Sequence, residues 1–181
     1  ACTSTCAVDV DYMHLVDQGR EYIGRHHRRP LAERALRALL MAVLPRPRLF
    51  AASLRLAQSA LPVQRFLPAP LAALLAIAAG ARIAGSPLPA AIHPAAGARR
   101  GRVALATGCV QQVLRPEINT ATIRLLQRNG WDVVVAAGAG CCGALNLHLG
   151  DADGGRGHAA RCVDAWQAAA QADGLDAIIV N

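Results

Sequence analysis

Two adjacent cysteines between glycines, in Gly140-Cys141-Cys142-Gly143, are the residues of this sequence best suited to chemistry. Neighbouring cysteines do not readily bridge each other, because disulfide geometry is demanding. They are better placed to face a shared metal ion or cluster. The glycines, with Gly138, predict a close approach of the backbone to a bulky cofactor, because they have no side chain. The alternative is a tight turn in which both cysteines are small buried hydrophobes.

A third thiol, Cys109, follows an apolar run at residues 102–106 that predicts a strand. Further strands are predicted at residues 131–136, just before the cysteine pair, and at residues 177–180. If the three strands are parallel in one sheet, their carboxyl ends lie together, where α/β folds place their sites. We therefore expect Cys109, Cys141 and Cys142 to converge as metal or cluster ligands.

Other candidate residues surround the cysteine pair. His148 is a candidate ligand, hydrogen-bond donor to sulfur or proton carrier, and we expect it to support the ligands rather than to bind the metal. Cys162 is predicted to be an ordinary thiol within a helix. Asp151 and Asp153 predict an exposed loop, because a calcium site needs more oxygen ligands.

Two cysteines open the sequence, Cys2 and Cys6. Their C-x3-C spacing supplies two thiolates, whereas an iron-sulfur cluster needs four, so we expect the missing ligands upstream. The sequence begins without methionine and is predicted to come from the middle of a longer protein. The six cysteines favour a reducing, cytoplasmic compartment, where they serve metals or redox chemistry more often than disulfides.

Composition limits the fold and the partners. Of the 181 residues, 54% are hydrophobic but only 3% aromatic, which favours small-residue helices and short strands over a β-sandwich. The net charge of +7 results from 19 arginines and 12 acidic residues. The arginines lack the interleaved aromatic residues and the motifs that are typical of nucleic-acid binding, so we exclude nucleic acid as a partner. Two interpretations of the positive charge remain: a basic surface that faces an acidic partner or anionic lipid, and a solvated helix face. No apolar run is long enough for a transmembrane helix.

Hydrophobic periodicity predicts a mixed fold. Residues 1–80 form an α-helical part, residues 81–101 form a linker, and residues 102–181 form an α/β domain with a short parallel sheet. The predicted helices cover residues 11–27, 31–44, 48–61, 71–79, 116–129 and 157–173. In the second domain, strands and helices alternate, which implies right-handed crossovers between parallel strands.

These motifs resemble a known family. The segment 140–143, preceded by Gly108-Cys109-Val110-Gln111 and followed by Leu147-His148-Leu149-Gly150, is similar to the first cysteine-rich CCG domain of the glycolate oxidase iron-sulfur subunit. The opening segment 2–20 resembles the end of that family's second ferredoxin motif and the helix after it. The resemblance covers nearly the whole chain and is weakest at residues 60–100.

The resemblance implies [4Fe-4S] chemistry. Cys2 and Cys6 would be the third and fourth cysteines of a ferredoxin-type motif, and Ala7 stands where the family has proline. Cys109, Cys141 and Cys142 would hold a cluster or zinc. The missing cysteines make this chain similar to an internal fragment, truncated within its CCG domain.

The implied function is electron transfer. Electrons would leave an FAD-containing partner subunit that oxidises glycolate, and would pass through the clusters toward a membrane acceptor, with the protein in the cytoplasm or peripheral on the inner membrane face. No catalytic residue is expected in this chain. Subunits for lactate utilisation, anaerobic glycerol-3-phosphate dehydrogenase and heterodisulfide reductase are alternatives. So are a zinc-binding assembly module and a free-thiol redox enzyme using Cys141 or Cys142.

Overall fold

The structure is a computed structural model that describes residues 10–83 and 87–181. Helical segments make up the first part of the described chain: α1 (Tyr12–His26), α2 (Leu31–Val43), α3 (Pro47–Ser59), a 3-10 helix (Leu61–Phe66) and α4 (Ala69–Ala79). Cys2 and Cys6 lie outside the described residues, so their role as ligands stays a prediction.

Helix ends in this part follow from local sequence. The Asp11 carboxylate accepts a hydrogen bond from the His14 backbone N–H at the start of α1, as expected for an N-cap. Pro47 lies in the first turn of α3, where its missing N–H costs nothing. Within residues 10–83 and 87–181, we find no helix with both the length and the apolar character needed to cross a bilayer.

The second part alternates strands and helices. Its elements are β1 (Ala91–His93), β2 (Gly101–Ala106), α5 (Gln111–Leu114), α6 (Pro116–Arg128), β3 (Trp131–Val135), α7 (Ala144–His148), α8 (Ala152–Asp173) and β4 (Ala177–Val180). The sheet has the order β1-β3-β2-β4, and β2 pairs in parallel with both β3 and β4. The predicted mixed fold, with a helical first part and an α/β second part that contains a short sheet, is confirmed.

Two local expectations need correction. The predicted linker contains β1, which pairs antiparallel with β3, so the sheet is mixed rather than purely parallel. The predicted exposed loop around Asp151 is instead the start of α8, five residues earlier than expected. The Asp151 carboxylate accepts a hydrogen bond from the Gly154 N–H and caps this helix. The domain boundary near residue 100 stays a prediction.

Apolar side chains form two buried clusters. The first lies in the sheet and on α6, and it contains Val103, Leu105, Ile123, Val133 and Val135. The second joins Phe50 and Ala51 of α3 to Val113 of α5, with Val110 and Leu114 packed against it. The second cluster therefore connects the helical part to the segment that directly follows Cys109.

Candidate functional site

Cys109 lies just beyond the carboxyl end of β2, in a turn fixed by hydrogen bonds. Gly108 has a positive φ of 68°, which a glycine adopts without strain. The Gln112 side-chain amide donates to the Thr107 hydroxyl at 2.8 Å and to the Gly108 carbonyl at 2.5 Å. This side chain, on α5, therefore holds the Thr107-Gly108 backbone that presents the half-buried Cys109 thiol.

A buried amide on α6 supports the same turn. Asn119 is fully buried, and its side-chain NH2 donates to the Thr107 carbonyl at 2.8 Å. Its carbonyl oxygen accepts from Gln111 at 2.8 Å and from Asn181, just past β4, at 3.4 Å. Since buried polar groups must be paired, this network fixes the carboxyl ends of β2 and β4 relative to α6.

The cysteine pair follows β3, the neighbour of β2. Cys141 is buried and Cys142 is exposed. The Gly143 N–H donates to the Cys141 sulfur at 3.4 Å, and the Cys162 thiol on α8 donates to the Cys141 carbonyl at 3.4 Å. The Cys141 side chain is thus directed into the protein beside Cys109, while Cys142 faces solvent.

The thiols of Cys109 and Cys141 influence each other's ionisation. A hydrogen bond from the Cys141 thiol lowers the pKa of Cys109 to about 7, against the effects of its burial and of the Cys142 charge. The same hydrogen bond, with burial, raises the pKa of Cys141 far above its ordinary value. Without metal, the pair therefore ionises first at Cys109, and Cys141 keeps its proton.

The cysteine thiols suit a soft metal, but they do not form a complete coordination site. Thiolates are the ligands preferred by iron-sulfur clusters and structural zinc, and both sites use four ligands. In the described part of the chain, no three Cys, His, Asp or Glu side chains stand close enough to hold a metal ion. Ligation by Cys109, Cys141 and Cys142 together therefore requires a rearrangement of these side chains, and it stays a prediction.

The two glycines that flank the cysteine pair, Gly140 and Gly143, lack a side chain for different physical reasons. Gly143 has a φ of 87°, and a β-carbon there would lie 2.2 Å from the Gly155 carbonyl oxygen. Its lack of a side chain is therefore required by the packing of α8 against the start of α7. Gly140 has nothing within 4 Å of a built β-carbon. Open space for a cofactor beside the cysteines is thus found at Gly140 and not at Gly143.

His148 contacts the helical part. Its Nδ1 lies 2.9 Å from Oδ1 and 3.1 Å from Oδ2 of Asp17 on α1. The partner of this ring nitrogen is therefore a carboxylate rather than a sulfur. Its predicted role in supporting a metal centre stays a prediction.

Sequence reasoning missed the amide network of Gln111, Gln112 and Asn119. A usable signal was present, because Asn119 lies four residues before the apolar Ile123 and so shares its face of the helix, which the structure shows to be the buried one. A polar residue on a buried face must find partners. The partner that Asn119 finds in the structure is the Thr107 carbonyl, in the turn that contains Cys109.

Two comparisons with known proteins found similar sequences. Residues 103–181 match the family described as "Cysteine-rich domain", CCG. The chain is 38% identical over 178 residues to the glycolate oxidase iron-sulfur subunit of Escherichia coli (strain K12), a match covering 98% of this chain and 40% of that protein. It is 36% identical over 80 residues to a probable glycolate oxidase iron-sulfur subunit of Bacillus subtilis (strain 168), covering 44% and 17% respectively.

No solved structure matches the chain significantly. The chain spans about two fifths of the length of the Escherichia coli relative. Its similarity to that relative extends through both the helical part and the sheet. The resemblance inferred from the motifs is therefore confirmed: residues 103–181 match the CCG cysteine-rich domain family, and nearly the whole chain is similar to a glycolate oxidase iron-sulfur subunit.

Proposed function

We propose that this chain is part of an iron-sulfur electron-transfer subunit of an oxidoreductase complex that oxidises glycolate or a related 2-hydroxy acid. The observation that carries the proposal is the placement of Cys109 and of the Cys141-Cys142 pair after two adjacent parallel strands, at the carboxyl edge of the sheet. The relatives' names supply the class of complex. The substrate's two electrons would first reach FAD on a partner subunit.

The roles of this chain's residues follow from their positions. Cys109, Cys141 and Cys142 would hold a cluster, with the remaining ligand supplied from outside these three thiols, and Cys2 and Cys6 would complete [4Fe-4S] motifs with upstream cysteines. The bound clusters supply one-electron chemistry. The hydrogen bonds of Asn119 and Gln112 orient the turn that contains Cys109. The hydrogen bond from the Gly143 N–H to the Cys141 sulfur stabilises negative charge on that sulfur. The final acceptor is proposed to lie in the membrane.

Metal content and low-temperature EPR of the anaerobically purified full-length protein test this proposal. We expect iron and sulfide in the parent, a partial loss with Cys141→Ala, and a separate loss with Cys2→Ala. Cys162→Ala is the matched control. Cys162 is also a buried cysteine, but its S–H donates a hydrogen bond to a backbone carbonyl, and we do not propose it as a ligand. It should keep the parent's iron content.

The alternatives predict other results. A zinc-binding assembly module would contain zinc that is lost with Cys141→Ala, and no iron. A free-thiol redox enzyme would contain no metal and would react through Cys109, the thiol with the lowered pKa, or through the pair. Either result would contradict the electron-transfer proposal.

A further inference from the structure

The residues of helix α4 are all apolar, and one side of the helix is exposed. Its sequence contains only alanine, leucine, isoleucine and proline. A surface helix normally has charged or polar residues on its outer face, whereas a helix that is apolar all round is normally buried. In α4, Leu75 and Ala78 are buried, but Ala73 and Ile77 are exposed. The packing of the described residues therefore leaves an apolar helix face uncovered.

The 3-10 helix before α4 adds a second large apolar side chain that is exposed. Phe66, its last residue, is 73% exposed, and Ile77 of α4 is 74% exposed. The Gln64 side-chain amide donates to the Ala72 carbonyl at 2.9 Å, which fixes the 3-10 helix against α4. Exposed apolar patches mark sites of interaction with proteins or membranes. We call the following exposed residues the α4 surface: Phe66, Ala69, Ala73, Ala76 and Ile77.

The elements that carry the α4 surface have positive side chains and no negative ones. Between Glu33 and Glu117, the sequence contains no Asp or Glu. Arg65 directly precedes Phe66, and the central carbon of its guanidinium lies 4.7 Å from the centre of the Phe66 ring. Glu117, the next acidic residue after α4 in the sequence, already pairs with Arg115. The charge of this part of the chain therefore favours an anionic partner.

Helix α3 places a further arginine next to an exposed apolar side chain. Its Gln58 amide donates to the Ala78 carbonyl at 3.1 Å and to the Ala81 carbonyl at 2.8 Å, so α3 is fixed against the end of α4. Arg55 and Leu56 are both exposed, Leu56 to 71%. An arginine side chain can cover apolar surface with its aliphatic stem while its guanidinium stays in a polar environment.

We propose that the α4 surface docks on a membrane that contains anionic lipids. Phe66 and Ile77 would enter the boundary between headgroups and acyl chains, and Arg55 and Arg65 would lie at the lipid phosphates. The 11 residues of α4 rise about 16 Å, whereas the hydrocarbon core of a bilayer is about 30 Å thick. The helix would therefore lie along the membrane surface.

The charges favour a lipid surface over a second copy of this chain as the occupant. Two copies that met through the α4 surface would bring the same arginines together, with no acidic residue from α3 or α4 to pair with them. Binding to lipid does not need the clusters. Its use, which is to hold the subunit beside an electron acceptor in the membrane, rests on the proposed function.

Sedimentation of the full-length protein with lipid vesicles tests the inference. The vesicles contain either phosphatidylcholine alone or equal parts of phosphatidylcholine and phosphatidylglycerol. We expect binding to the anionic vesicles that weakens with added salt. Ile77→Glu should lower this binding at least about tenfold, because a charge replaces the buried apolar side chain. Arg65→Gln should lower it about fivefold, because one cation is lost near the anionic surface.

Leu125→Glu is the matched control for Ile77→Glu. Leu125 is also a large apolar residue on a helix, α6, where it is 64% exposed. The substitution changes the net charge by the same amount but lies outside the α4 surface. Binding to the anionic vesicles should therefore stay within about twofold of the parent, since a distant charge is screened.

Two results would overturn the inference: no binding of the parent to the anionic vesicles, or an equal loss of binding in Leu125→Glu and Ile77→Glu. A protein occupant would also overturn it, and Ile77→Glu would then change the mass of the purified complex in light scattering without changing vesicle binding. Iron content, measured in the same samples, should equal the parent's in all three variants. A parent that binds vesicles but contains no iron would contradict the proposed function and leave the docking surface intact.

Discussion

The pKa of the Cys109 thiol is set mainly by its neighbour Cys141. The hydrogen bond from Cys141 is the largest influence on its pKa and outweighs burial, which acts in the opposite direction. The thiolate is the form of cysteine that binds metals and reacts with electrophiles. In the metal-free protein, Cys109 is therefore prepared for ligation near neutral pH, whereas Cys141 must lose its proton when a metal binds.

We predict that Cys141→Ala raises the pKa of Cys109 from about 7 toward the ordinary value of 9.0. Removing the donor leaves the thiolate without the hydrogen bond that stabilises it. The measurement is the rate of Cys109 alkylation by iodoacetamide against pH, in metal-free protein, read by peptide mass spectrometry. The midpoint should move to higher pH in the variant.

Cys162→Ala provides the control for this measurement. Its thiol donates to the Cys141 carbonyl and makes no such bond to Cys109, so the Cys109 midpoint should stay where it is in the parent. An equal midpoint in the parent and in Cys141→Ala would contradict the assigned hydrogen bond.

Asn119 is the residue whose loss should disturb the Cys109 turn most directly. Asn119→Leu replaces the amide by an apolar side chain of the same branching and leaves the Thr107 carbonyl and the Gln111 amide without their buried partner. We expect a loss of about 1–3 kcal/mol in the free energy of unfolding, measured with urea. Asn129→Ala is the control, because Asn129 is exposed and bonds only within α6 and its end. A loss no larger than that of the control would show that the network is not needed.

At the level of elements, the crossing of α7 and α8 fixes the cysteine loop. Gly143→Ala would place a methyl group in the left-handed region and against the Gly155 carbonyl. We predict a destabilisation of at least about 1–2 kcal/mol from the backbone conformation alone. Thermal or urea unfolding of the metal-free chain measures this loss.

Gly140→Ala is the matched substitution on the other side of the cysteine pair. Nothing lies within 4 Å of its β-carbon, so stability should change by no more than about 0.5 kcal/mol. A reduced iron content in this variant, with normal stability, would indicate that a cluster occupies the space beside Gly140. Equal destabilisation by both substitutions would contradict the packing described for Gly143.

Most elements could be predicted because their signals are local. The α1 region shows apolar residues at helical spacing behind the Asp11 cap, and the runs that form β2, β3 and β4 were recognised within one or two residues. The short elements β1, α5 and α7 were not predicted, because three to five residues are too few to show a period. The sequence does not predict the first turns of α8, because Gly154 and Gly155 are poor helix formers. In the structure, the Asp151 cap and the close packing of Gly155 against Gly143 explain these turns.

On the scale of the whole molecule, the helical part packs against both cysteine-containing segments of the second part of the chain. Helix α3 packs against α5 directly after Cys109, and α1 contacts the turn after α7, beyond Cys141 and Cys142. Parallel strand order was enough to predict that these segments meet at one edge. The contact between Asp17 and His148 was not predictable, because it joins residues 131 positions apart and no local pattern encodes it.

The opposite, amino edge of the sheet is held by charges. Arg102, at the start of β2, pairs with Asp132 and with Asp173. The Asp132 carboxylate also accepts the Ala95 N–H at 2.9 Å and lies 3.1 Å from Arg99. The Ala95 N–H, followed by the two guanidinium groups, lowers the pKa of Asp132 below its ordinary value of 3.8. One carboxylate thus links β2, β3 and the segment that follows β1.

We predict that this carboxylate gives the fold an acid-side pH dependence. Because the folded state lowers the pKa of Asp132, its contribution is complete above pH 3.8 and disappears as the pH falls through the folded-state value. Asp132→Asn should therefore be less stable than the parent at pH 7, and the difference should shrink below about pH 4, as measured by urea unfolding of the metal-free chain. Asp153→Asn, at an exposed surface pair, should cost no more than about 0.5 kcal/mol at pH 7. A constant difference between Asp132→Asn and the parent at all pH values would contradict the assignment and leave packing alone to hold this edge.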